Sequence, residues 1–212
     1  MYEKMFQYVQ AYLADAGCDN ASKSGKHYPF RKRSEHILRV YLWAKRLSES
    51  DASINREALL TAAIFHDIGY AQLPSGMEHA QNSAMLCQQY LSENSYDPSF
   101  IELVTFLVKN HSHKELLTAA GTPLELIYLM EADLLDETGA LAIVWDCMVE
   151  GAQETQSFEK TYHHMLSYSM KELRTNPMVT DKAKAFWEEK QRLGNTFMAQ
   201  LSFDLGLKET GL

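Results

Sequence analysis

Apolar side chains recur along this chain at three- and four-residue spacing, and several of the stripes they draw meet a polar residue. In Thr61-Ala-Ala-Ile-Phe-His-Asp-Ile-Gly69, positions i−3, i−4 and i−7 from His66 are Ala63, Ala62 and Leu59. His66 therefore shares the apolar face of a helix and points inward. The same spacing sets His36 before Val40, Trp43, Ala44 and Leu47, and His111 after Val104, Leu107 and Val108. Asp133 follows Leu126, Leu129 and Met130 in the same way. Adjacent helical residues project about 100° apart, so His66 and Asp67 can share one ion only near a helix end. Gly69 is placed to supply that end through the left-handed conformation glycine tolerates.

The periodicity and its breakers predict helices over 2–16, 34–48, 55–67, 78–93, 98–111, from 123 onward, and over 139–150, 157–175 and 180–204. Asp97-Pro98 and Thr122-Pro123 read as helix starts with proline at the first helical position. Residues 18–26 read as a polar loop, and Gly151 and Asn176-Pro177 as breaks. No alternating β-branched run, internal repeat or low-complexity tract interrupts the pattern. The fold expected is all-α, one helical domain over residues 1–212.

Composition narrows the function classes. A chain of 212 residues is long enough for one full core. Its net charge of −8 argues against extended nucleic-acid or anionic membrane binding, so any anionic substrate must be met by local cations or a metal. No apolar run approaches the roughly 20 residues of a membrane span, and no signal peptide is evident. Three widely spaced cysteines without a Cys-x-x-Cys pair suggest reduced thiols and a cytoplasmic setting.

Four inward polar residues therefore stand out: His36, His66, Asp67 and Asp133. A lone histidine on such a stripe reads first as a satisfied core residue, but two buried carboxylates without a cation are costly. Two imidazoles with two carboxylates suit Mn²⁺, Fe²⁺, Zn²⁺ or Mg²⁺, with positions left for water and substrate. Cations placed to meet phosphate are Arg33 in the basic cluster 27–33, Arg39 one turn after His36, Lys109 before His111, and Lys114. Each also reads as a solvated surface charge. Asp136, one turn after Asp133, is either a second group holding a ligand or a solvated residue. Tyr28 and Phe30 pack on the core or stack on a base, and His163 and His164 read as surface.

The order His36 … His66-Asp67 … Asp133 resembles the HD-domain metal-dependent phosphohydrolases. The settings Glu35-His36-Ile-Leu-Arg-Val40, Phe65-His-Asp-Ile-Gly69 and Glu131-Ala-Asp-Leu-Leu-Asp-Glu-Thr-Gly139 carry that likeness. The resemblance covers about residues 30–145, with helices over 146–206 packing on that core, and it implies an all-α HD-domain bundle. It implies that His36, His66, Asp67 and Asp133 hold a divalent metal, with His66 and Asp67 at the catalytic centre. One ion is favoured, with His79 and His111 placed for a second; His79 reads equally as a helix-start surface residue. The implied reaction is hydrolysis of a phosphate ester or anhydride, of a nucleotide in particular, by metal-activated water, with Arg33, Arg39, Lys109, Lys114 and His113 toward the substrate. The competing reading is a non-catalytic HD module that senses a nucleotide or a metal. A homodimer is left open.

Overall fold

A computed structural model describes residues 2–15, 30–71 and 76–207. Among the described residues there are ten α-helices, two short 3-10 segments and no strand, in keeping with the all-α expectation. None of these helices is long and apolar enough to cross a membrane. The chain divides into two compact units after Asp136.

The first unit holds α1 (Tyr2–Asp15), α2 (Arg33–Leu47), α3 (Arg56–Phe65), α4 (His79–Glu93), α5 (Pro98–Asn110) and α6 (Leu124–Leu135). Helix α3 is its axis: every residue from Ala58 to Phe65 is buried, and all five other helices pack on it. A helix apolar on every side has no stable place except inside such a ring. Asn55 caps it, its side chain accepting from the Ala58 amide at 3.0 Å.

The end of α3 differs from the expectation. Phe65 is its last residue, His66 continues in helical geometry (φ −55°, ψ −34°), and Asp67 leaves it at φ −116°, ψ 7°. Gly69 is not left-handed; it lies inside the 3-10 turn Ile68–Tyr70. The reason for glycine is space. A Cβ there would sit 2.3 Å from both the His79 carbonyl oxygen and the Ser83 amide nitrogen of α4. The turn presses on α4 instead, the Gly69 amide donating to Ser83 Oγ at 2.8 Å and Asn82 Nδ2 donating to the Gly69 carbonyl at 2.8 Å.

Asp97 caps α5 as its sequence predicts, with Pro98 at the first helical position. Pro123 instead precedes α6, at φ −57° and ψ 140°, so Leu124 is the first helical residue. The Thr122 hydroxyl is turned back onto the Leu116 carbonyl at 2.8 Å and caps nothing.

The second unit holds α7 (Ala140–Gly151), α8 (Phe158–Ser167), α9 (Ser169–Leu173) and α10 (Asp181–Asp204). Where one helix is expected over 157–175, the chain breaks at Tyr168 (φ −119°, ψ −87°). Just after the break, the Ser169 hydroxyl donates to the buried Asp146 carboxylate. His163 is exposed, as expected, but His164 is not a surface residue. Its Nδ1 donates to Glu150 Oε1 at 2.9 Å, and its Nε2 lies 3.4 Å from Asp146 Oδ1. Those carboxylates stand one turn apart on α7, which the residues flanking His164 do not reveal.

Candidate metal centre

Five helix ends deliver one cluster. His36 lies in the first turn of α2, His66 and Asp67 follow α3, His79 opens α4, His111 follows α5, and Asp133 and Asp136 close α6. His36 Nε2 lies 3.2 Å from His66 Nε2 and 3.4 Å from both Asp67 Oδ2 and Asp133 Oδ1. His66 Nε2 is 3.7 Å from Asp67 Oδ2 and 3.9 Å from Asp133 Oδ1. The other oxygen of Asp67, Oδ1, is 3.5 Å from each of His79 Nε2 and His111 Nε2, which stand 3.3 Å apart. Two groups able to hold an ion, His36–His66–Asp67 and Asp67–His79–His111, thus share one carboxylate. Atoms about 2.1 Å from one ion stand roughly 3.0 Å apart at right angles and roughly 3.4 Å apart at the tetrahedral angle. The observed spacings suit such a geometry.

The imidazoles are aimed by their other nitrogens. Nδ1 of His66 donates to the Ala63 carbonyl at 2.8 Å, and Nδ1 of His111 to the Val108 carbonyl at 2.7 Å. Nδ1 of His36 donates to Asp136 Oδ2 at 2.7 Å. Each bond turns Nε2 toward the centre, the arrangement that orients metal-binding histidines. Asp136 is itself gripped by Arg39, whose Nε and Nη2 donate at 2.9 and 3.0 Å. Asp136 is therefore a buried orienting group rather than a solvated helix residue. Asp136→Ala is expected to weaken Zn²⁺ or Mn²⁺ binding by about 10- to 100-fold, read by titration of the purified protein. An unchanged affinity would remove Asp136 from the centre.

Charge is balanced at short range. Burial alone would raise the Asp67 carboxyl, but His66, His111, His36 and Arg33 hold it well below the usual carboxylate range. Desolvation would likewise raise Asp133, which is only half-buried, but Lys114, His36 and His66 hold it well below that range. Burial pushes His66 down to about 4, against the pull of Asp67. Burial also disfavours the His36 cation, yet Asp133, Asp136 and Asp67 carry its pKa well above the ordinary value. The cluster draws positive charge to its middle.

The residues expected to meet substrate fare differently. Arg33 is only 6% exposed and its Nη1 donates to Asp67 Oδ2 at 2.7 Å. Lys114 Nζ donates to Asp133 Oδ2 at 2.6 Å while a third of its side chain stays accessible. Arg39 reaches the edge of the cluster through Asp136. His113 is half-buried and pairs with Glu115 at 3.2 Å. Lys109 is exposed and about 200° round α5 from His111, so it is not brought to the cluster. Tyr28 lies outside the described residues, and Phe30 is half-buried. His79 is no surface residue: its ring stacks on Tyr70 at 4.4 Å and 17°. The Arg33 guanidinium carbon in turn sits 4.1 Å from the centre of the Tyr70 ring. Neither contact of Tyr70 is visible in the periodicity, because it stands in a turn.

Compared with known proteins, residues 33–138 match the model of the HD domain. A search of curated proteins found no match. Among solved structures, an HD-superfamily hydrolase from Bacillus thuringiensis is similar at 23% identity and a TM-score of 0.68, over 97% of each chain. A predicted HD superfamily hydrolase from an uncultured Thermotogales bacterium is similar at 19% identity and a TM-score of 0.66, over 96% of this chain and 92% of that one. Bacillus subtilis YpgQ in complex with ADP is similar at 20% identity and a TM-score of 0.64, over 95% of this chain and 93% of that one. At these identities the likeness is one of fold.

Proposed function

The chain belongs to the HD-domain family, and from that footing we propose that it is a metal-dependent phosphohydrolase acting on a small phosphorylated substrate, a nucleotide first among them. One observation carries the reading: Asp67 faces a pair of inward Nε2 atoms with each of its two oxygens. His36, His66, Asp67 and Asp133 would hold one divalent ion; Asp67, His79 and His111 suit a second. A divalent ion held by these residues would supply acidified water and charge neutralisation for phosphoryl oxygens.

The chain's own groups do the rest. Asp67, held ionised by its neighbours, would serve as ligand and orient an attacking water. Lys114, half-exposed beside Asp133, is the cation best placed to meet a phosphate oxygen. Arg33 is buried against Asp67, so its part is to balance that carboxylate. Arg39, through Asp136, keeps His36 aimed. The ADP bound to Bacillus subtilis YpgQ makes nucleoside di- and triphosphates the first class to offer.

The test is release of phosphate or pyrophosphate from a nucleotide panel with Mn²⁺, Fe²⁺, Zn²⁺ or Mg²⁺, with metal content measured on the same samples. Metal-dependent release is expected. Bound metal without turnover across the panel would favour the sensing module, and no metal with no release would sink the proposal. Chelation is expected to abolish release and to lower the melting temperature. An ion at a hundred times its Kd contributes about 2.7 kcal/mol, or roughly 5–10 °C for a chain of this size. Adding the ion back should restore both.

A further inference from the structure

We propose that Lys114 couples ion binding to phosphate binding: its ammonium competes with the ion for Asp133 and is also the cation that receives the phosphate. The inference rests on the reading above that His36, His66, Asp67 and Asp133 hold an ion. Asp133 divides its two oxygens. Oδ1 faces the imidazoles, 3.4 Å from His36 Nε2 and 3.9 Å from His66 Nε2, whereas Oδ2 accepts from Lys114 Nζ at 2.6 Å. One carboxylate thus serves the ligand cluster on one side and an ammonium on the other. The pair also lies at an accessible edge of the cluster. The Asp133 and Lys114 side chains keep 22% and 31% of their surface, against 7% or less for His36, His66 and Asp67. An anion in solvent therefore meets this pair before it meets the buried imidazoles.

Charge sets the sign of the coupling. An ammonium and a divalent ion sharing one carboxylate repel each other, so the lysine charge opposes the ion. The main chain of Lys114 is held: it opens the 3-10 segment Lys114–Thr118, its amide donates to the Ser112 carbonyl at 3.1 Å, and Leu117 of that segment is buried. The flexible four-carbon stem is the part that can move. A phosphoryl group placed against the ammonium offsets the repulsion, so ion and phosphate each strengthen the other by the same factor. Arg33 bonds Asp67 but is buried, and it balances a charge without this exchange.

Calorimetric titration of the purified protein with Mn²⁺ alone, and of the Mn²⁺-saturated protein with methylphosphonate, tests this on wild type, Lys114→Met and Lys114→Arg. Where two ions bind, the one lost in Asp133→Asn is the one compared. Lys114→Met keeps the stem and drops the charge. It is expected to bind Mn²⁺ about ten-fold more tightly than wild type and methylphosphonate at least about ten-fold more weakly. Lys114→Arg keeps the charge and should stay within about three-fold of wild type on both. A lysine that served only the fold would give the opposite sign, because its loss would loosen the ligands and weaken ion binding. Mn²⁺ binding by Lys114→Met equal to or weaker than wild type would overturn the proposal and leave the metal reading standing. Unchanged methylphosphonate binding, or an Arg variant that follows the Met variant, would do the same. Wild type that binds no Mn²⁺ would remove the metal reading and the proposal together. Should Lys114→Met fail to fold by thermal melting, Lys114→Gln makes the same comparison.

Discussion

Asp67→Ala is expected to empty both halves of the centre and to lower metal-dependent phosphate release by well over a hundred-fold. The loss should exceed the 10- to 100-fold expected of a group that merely orients a ligand, because each Asp67 oxygen faces its own pair of imidazoles. A second effect is independent of turnover. Arg33 is buried and donates to Asp67 at 2.7 Å, so the substitution removes the carboxylate paired with a buried guanidinium. Removing one partner of a buried pair costs about 3–5 kcal/mol, or roughly 6–20 °C in melting temperature at this chain length. Calorimetry in a chelating buffer reads the second effect without the first. Asp67→Ala with Arg33→Leu should recover much of the melting temperature and none of the metal. A double variant as labile as the single one would show that Arg33 is not what Asp67 stabilises.

Gly69→Ala should be nearly as damaging although it adds only one methyl group. The methyl would meet main-chain atoms at 2.3 Å, the His79 oxygen and the Ser83 nitrogen, and main chain cannot swing aside as a lysine tip can. Overpacking typically costs 1–3 kcal/mol; two such contacts put this case at about 3 kcal/mol or above, roughly 6–12 °C. Relief requires the first turn of α4 to move, and that turn carries His79. On the two-ion reading proposed above, the variant should therefore also bind the second ion more weakly. Gly151→Ala is the control, since a Cβ there meets nothing within 4 Å and should change the melting temperature little. If the two alanine variants melt together, the close approach of the 3-10 turn to α4 is not what holds this region.

Much of the first unit was legible because one rule, inward placement at helical spacing, locates residues without knowledge of partners. It singles out His36, His66, Asp67 and Asp133 as a group, and Asp136 one turn on from Asp133. The rule is silent about neighbours across space. That Asp136 receives His36 and Arg39, which stand 100 and 97 residues earlier in the chain, depends on α2 lying beside α6. His164 looked like surface because its carboxylates stand on α7, outside its own stretch. Lys109 misled in the opposite way: two residues in sequence is more than half a turn of helix, so nearness to His111 along the chain became separation around it. At Gly69 the residue type alone suggests an end in left-handed geometry, whereas the structure requires room against α4.

The histidines also differ in what a single substitution can undo. His66 and His111 are aimed by the carbonyls of Ala63 and Val108, and every residue type has a carbonyl. His36 is aimed by a side chain, Asp136. In a drifting lineage the first two imidazoles would keep their aim through almost any change at positions 63 and 108 that the core accepts. His36 has no such insurance: its aim survives only as long as Asp136 and the Arg39 that grips Asp136 are both kept.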